Sequence, residues 1–283
     1  MLRMNEAEMT AVLRDVFVLC MIALVLGLGI YAWLRQETEH TWHTEGNVLS
    51  RPYDYQDGVA GLAIVGIFCM GLFATVPNSA GKTEGVMSYS TLLASSVIML
   101  AICVLLVLYL RVYRGLDPSE LFGLRLMRPG RAAALALPSI VSVGFIMGLV
   151  LYVVYVKIMH GKLPDETDQE TVRSFKAAGS SVFRILLGIT AIIIAPITEE
   201  TLFRGFLYGV TKRFTDRWFA AVSTALIFAV VHSHVGALLP IFVLGLGLAL
   251  AYEVTGCLLV PVFMHAMFNG FNIILLVFSE NHR

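Results

Sequence analysis

Charge is what this chain has least of: charged residues make up 14% of its 283 positions against 58% hydrophobic ones, which excludes an ordinary soluble domain. The little charge present is balanced, 20 basic residues against 20 acidic, so nothing points to nucleic acid or to a strongly anionic partner. Cysteine is sparse as well. Cys20, Cys69, Cys103 and Cys257 lie far apart inside apolar runs with no C-x-x-C, and they read as buried thiols, neither disulfides nor metal ligands. No internal repeat or low-complexity tract is visible. The first apolar run lacks an A-x-A-like site where processing would fall, and it reads as an uncleaved span.

Long apolar runs are what the sequence does have. A spanning helix needs about 20 mostly apolar residues, and eight runs qualify, near 16–34, 59–76, 88–110, 132–156, 183–203, 218–235, 237–255 and 257–279. The fold class expected is all-α, a polytopic membrane protein of about eight transmembrane helices. The first three spans carry no buried charge, so residues 1–116 are expected to be a supporting bundle and 117–283 the catalytic core. Two polar stretches, 35–58 and 157–181, and a basic connector, 111–131, separate the spans. In the connector's "LDPSELFGLRL", Asp117 suits a helix cap, with Pro118 at the first helical position and Glu120 at the third. Arg111, Arg114, Arg125, Arg128 and Arg131 share a face with Lys212, Arg213, Arg217, Arg35 and Arg51 if there are eight spans. The positive-inside rule makes that face cytoplasmic and puts both termini on the other side. Gly144 and Gly148 form a G-x-x-x-G read as close packing.

Polar residues inside the apolar second half are the informative exceptions, because a charge at the bilayer centre costs at least about 2.5–3.5 kcal/mol and marks a functional candidate. The run "APITEETLFRGFLYGV" holds Glu199, Glu200 and Arg204. Residues four apart on a helix differ by about 40° in direction and residues five apart by about 140°. Glu200 can therefore pair with Arg204, while Glu199 is left free. In "IFAVVHSHVG", Phe228 and His232 share a face, and counting from the turn at Thr215 and Asp216 puts His232 level with Glu199. His234 points elsewhere and is read as interfacial. In "FMHAMFNGFN", His265 and Asn269 are again four apart. Glu253 and Asn272 have no partner at a helical spacing and are read as structural.

A carboxylate, two histidines and an asparagine meeting in a water-poor pocket form a kit for hydrolysis. Burial makes a carboxylate a better base. Glu199 would deprotonate water, His232 would hold that water or share its proton, and His265 with Asn269 would donate to the oxyanion of a peptide carbonyl. Ser223 and Ser233 lie off these faces, and Cys257 has no base at a supporting spacing.

Glu199-Glu200-x-x-x-Arg204, Phe228-x-x-x-His232 and His265-x-x-x-Asn269, in that order, resemble the three motifs of the CPBP (Abi) family, the CAAX prenyl proteases of type II and their bacteriocin-processing relatives. The resemblance covers roughly residues 117–279, and "LFGLRL" before the core is similar to an element of many members. It implies an all-helical intramembrane endopeptidase in a bacterial cytoplasmic membrane, with a conical cavity opening to the cytoplasm. That agrees with the face the arginine count selects. It also implies that Glu199 and His232 activate water, that His265 and Asn269 stabilise the oxyanion, and that Glu200, Arg204 and Phe228 support the site. The expected substrate is a membrane-associated protein or peptide, of the prenylated CAAX type if the host prenylates.

Two alternatives stand beside this reading. Glu199, His232 and His265 would leave an open fourth position on a zinc ion, but no H-E-x-x-H is present and Asn269 is a poor ligand and a good donor, so no metal or other cofactor is expected. A non-enzymatic scaffold or bacteriocin-immunity protein would tolerate Glu199→Gln. A proton-coupled transporter would need a polar path that the first four spans do not offer.

Overall fold

The computed structural model describes residues 46–74, 87–153, 174–176, 180–232 and 237–281. The expected span 16–34, Cys20, His234 and most of the stretch 157–181 lie outside them. Eight helices follow in order: α1 (Tyr55–Ala74), α2 (Tyr89–Tyr113), the single turn α3 (Pro118–Leu121), α4 (Pro129–Val153), α5 (Ser181–Phe214), α6 (Arg217–Val231), α7 (Leu238–Thr255) and α8 (Leu259–Asn281). No strand occurs among the described residues. The chain is an all-α polytopic membrane protein. α2, α4, α5, α7 and α8 are long and apolar enough to cross a bilayer, where five of the eight runs were expected. The run at 218–235 is a shorter apolar helix, Arg217–Val231, and the run at 59–76 falls on α1, apolar over Tyr55–Phe68.

Local chemistry sets the boundaries. Ser88 caps α2 by accepting from the Thr91 amide, and Asp216 caps α6 by accepting from the Trp218 and Phe219 amides. Asp117 accepts from Ser119 and Pro118 opens α3, as the sequence predicts. Gly256 ends α7 at φ 65°, the left-handed conformation that favours glycine.

α7 is central, packed against α4, α6 and α8, and it touches the second half of α5. α5 is irregular. It is π-helical at Thr190–Ile194 and again at Thr201–Tyr208, with a six-residue α stretch, Ala195–Glu200, between them. The main apolar core surrounds the second π segment, where Phe203, Phe206 and Tyr208 meet Phe122, Phe228 and Tyr252.

The helices have two distinguishable ends. At one lie the starts of α1 and α6, the ends of α2, α5 and α7, and the connector with Arg111, Arg125, Arg128 and Arg131. Arg114 there bonds both oxygens of buried Asp57 at 2.9 and 3.0 Å. Lys212 is itself fully buried, 2.8 Å from Glu253. Glu253, unpartnered by helical spacing, thus finds its cation 41 residues away on another helix. At the other end lie the starts of α2 and α5 and the end of α8, joined by an apolar cluster of Leu92, Phe175, Phe183 and Leu187.

Candidate active site

Glu199 and Glu200 close the short α stretch between the two π segments of α5. The neighbouring acids point different ways and meet different partners, as their angular separation predicts. Glu200 is fully buried. Its Oε1 accepts from Arg204 Nη1 at 2.9 Å and from His265 Nδ1 at 2.8 Å. Arg204, also fully buried, donates from Nη2 to the Gly245 carbonyl at 2.9 Å and lies 4.3 Å from the centre of the Phe228 ring. A buried charge is tolerable only when paired and hydrogen-bonded; the pair here is met through Glu200 Oε1 and the two terminal nitrogens of Arg204, while Glu200 Oε2 and Arg204 Nε are buried without a partner.

Glu199 has no such partner. Its Oε2 is buried with no hydrogen bond, 3.8 Å from His232 Nε2 and 4.0 Å from His265 Nε2. The tautomers follow from what sits behind each ring. His232 Nδ1 is 2.6 Å from the Phe228 carbonyl, which can only accept, so Nδ1 carries a proton and the neutral ring presents a bare Nε2 to Glu199. The same contact satisfies a carbonyl in the last turn of α6, whose C-cap is His232. His265 Nδ1 faces the Glu200 carboxylate and is likewise the donor. Two imidazole Nε2 atoms thus each lie about one water-mediated hydrogen-bond path from the same carboxylate oxygen.

Asn269 points into the same cavity, but its Nδ2 donates to the Ala191 carbonyl at 2.8 Å. Ala191 lies in the first π segment, where the shift from i→i+4 to i→i+5 bonding leaves carbonyls for outside donors. Asn269 keeps a second N–H. Phe228 stands edge-on to the rings of both His232 and His265, with centroids 4.6 and 5.8 Å away.

A cavity of about 310 Å³ contains Glu199, His232, His265 and Asn269. Its outer lining is Met87, Phe175, Asn272 and Leu276, all at the end of the bundle away from the arginines. Asn272, read as structural, lines this approach because it lies three residues beyond Asn269 on α8. This part of the lining and the arginine-rich face lie at opposite ends of the bundle. A second, apolar cavity of about 220 Å³, lined by Phe68, Met99, Ile102 and Leu202, reaches Glu199 and His232 from the side.

Residues 181–271 match the family described as type II CAAX prenyl endopeptidase Rce1-like. This segment is similar to that family. The match agrees with the resemblance drawn from the three motifs, and all seven motif residues fall within it. Over 90 residues, 32% of this chain, the sequence is 34% identical to the "Putative membrane peptidase YdiL" of Bacillus subtilis (strain 168), covering 37% of that protein. Over 86 residues, 29% of this chain, it is 38% identical to an "Uncharacterized 24.3 kDa protein" of Escherichia coli, covering 40% of it. The chain thus matches about two fifths of the length of each relative. No solved structure matches it. The Rce1-like segment comprises α5, α6, α7 and the first half of α8, while α1 to α4 lie outside it.

Proposed function

We propose that this protein is an intramembrane endopeptidase that hydrolyses a peptide bond of a membrane-associated protein, with Glu199 as the general base. The observation carrying the reading is the unpartnered, buried Glu199 Oε2 facing two imidazole Nε2 atoms at 3.8 and 4.0 Å. A water between them would donate one proton to Glu199 while the bare Nε2 of His232 orients it. Its oxygen attacks the scissile carbonyl carbon as Glu199 takes the proton. The oxyanion that forms would receive hydrogen bonds from the second N–H of Asn269 and, when both ring nitrogens carry a proton, from His265 Nε2, with Glu200 accepting from Nδ1 behind it. Collapse breaks the C–N bond, and the proton held by Glu199 passes to the leaving amine. Positioned bases contribute roughly 10²–10⁴-fold, and one oxyanion donor roughly 10²–10³-fold.

The same three atoms also suggest zinc, since each imidazole Nδ1 is held by an acceptor, as is usual behind metal-ligating histidines. Distance favours water. Two ligands about 2.0–2.1 Å from a tetrahedral zinc would stand only about 3.3 Å apart, closer than the 3.8 and 4.0 Å observed. Cleavage is therefore expected to survive a strong chelator, and loss that zinc restores would favour the metal.

The printed name of the Bacillus relative supports a peptidase, and the family's description supports a CAAX-type, prenylated substrate where the host makes one. The test compares the protein termini in membranes of cells carrying the intact protein and Glu199→Ala. Termini that vanish with the variant identify substrates; identical termini would overturn the reading.

A further inference from the structure

The acid pair depends on a backbone that is not a regular helix. Each π segment of α5 has a carbonyl bonded by a side chain from elsewhere: Ala191 by Asn269 of α8, and Gly205 by the hydroxyl of Tyr53, at 2.8 Å. Tyr53 precedes α1, 152 residues from Gly205 in sequence and outside the Rce1-like segment. Its side chain is 1% exposed and packs edge-on against Phe206. Burial, with Tyr252 and Asp57 nearby, pushes the Tyr53 hydroxyl well above its usual range, so it stays protonated and donates.

The segment before α1 is fastened along its length. Asn47 Nδ2 donates to the Val254 carbonyl. Lys212 Nζ donates to the Val48 carbonyl at 3.0 Å while paired with Glu253. Arg213 Nε donates to the Tyr53 carbonyl at 3.0 Å. On α5 the fit against Tyr53 is close enough that a Cβ at Gly209 would collide with its ring. Gly205 directly follows Arg204, the residue that holds Glu200, which in turn holds His265.

We propose that Tyr53 is a positioning residue: through the Gly205 carbonyl it fixes the π register of Thr201–Tyr208, and so the Arg204–Glu200–His265 chain behind the reacting atoms. This rests on the proposed hydrolytic role only for its effect on turnover. The effect on His265 is independent of it. The segment 46–54 is thereby part of the working site, although it belongs to the half expected only to support it.

The test is Tyr53→Phe in the full-length protein in detergent, with Tyr55→Phe as control, since Tyr55 is 83% exposed and its ring lies tilted against Phe214. The readout is the ¹⁵N imidazole spectrum, with His265 assigned by its loss in His265→Gln. Tyr53→Phe is expected to shift the His265 signals and Tyr55→Phe to leave them alone. On a cleavable substrate, Tyr53→Phe is expected to lower kcat about two- to tenfold, the range of one lost hydrogen bond, with KM unchanged because Tyr53 lies off the cavity. Arg213→Gln, at an exposed anchor of the same segment, is expected to shift His265 in the same direction by less, and it serves if Tyr53→Phe fails to fold. His265 signals unmoved in whichever of these variants folds would overturn the proposal. A His265 signal moved by Tyr53→Phe, together with a wild-type protein that shows no Glu199-dependent cleavage, would sustain the clamp and sink the proposed function instead.

Discussion

Arg204 offers the sharpest energetic test of the buried network. It bonds Glu200 and the Gly245 carbonyl at 2.9 Å each and covers the Phe228 ring, with no exposed surface. Arg204→Met keeps much of the volume but strips Glu200 of its cation, and losing one partner of a buried pair costs about 3–5 kcal/mol. Glu200→Leu leaves the guanidinium uncompensated and should cost a similar amount. The double variant removes both charges, and such replacements are often close to neutral. Here the double variant still leaves Gly245 O and His265 Nδ1 without their partners, so some loss should remain. The expected coupling is about 3 kcal/mol, since the double variant falls far short of the summed singles. Reversible unfolding by SDS in mixed micelles, followed by helical circular dichroism, gives all four stabilities. Additivity within about 0.5 kcal/mol would refute the pairing.

Other expectations follow from single contacts. Gly245→Ala would put a Cβ 3.2 Å from Ala225 Cα and 3.3 Å from Arg204 Nη2, and such overpacking should cost about 1–3 kcal/mol in the same unfolding assay. Lys212→Met should destabilise by about 3–5 kcal/mol by stranding Glu253, whereas Lys212→Met with Glu253→Leu should recover most of the loss. In a cysteine-free background, cysteines placed at exposed Ser88 and exposed Arg128 should react with an impermeant maleimide from opposite sides of the membrane; labelling from one side would refute the placement of the cavity. Asp117 is held below the usual carboxylate range by the Ser119 hydroxyl and amide, with Arg125 and Arg111 adding. A lowered carboxyl stabilises the fold above its unfolded value of about 3.9 and loses that effect as pH falls through the lower folded value. Amide exchange at Ser119 should therefore rise only in that acidic window.

The parts of the site that the sequence revealed are those that depend on regular spacing. Glu200 and Arg204 are one turn apart, so their pairing needed no tertiary information. Glu199 and His232 could be brought level by counting from the turn at Asp216, because two adjacent antiparallel helices rise equally. His265 as the third member of the Glu200 network was hidden, since nothing local tells which acid an imidazole 65 residues away will choose. The Asn269–Ala191 and Tyr53–Gly205 bonds were hidden for a different reason. Both serve carbonyls released by π segments, and apolar periodicity is too coarse to show where an α-helix changes register. Lys212 was counted as a loop cation because it sits near a turn, yet its ammonium turns inward to Glu253. The arginine-rich end was legible, but not its relation to the cavity, which depends on the end toward which α5 presents Glu199.

The central claim is that Glu199, whose Oε2 is buried without a hydrogen bond among the described residues, is held so that it can take a proton from water. Turnover of one identified substrate by the purified protein and by Glu199→Gln, compared at matched thermal stability, tests it most directly. The account predicts a loss of at least about 10²-fold with an unchanged melting temperature. Cleavage within threefold of wild type would contradict it.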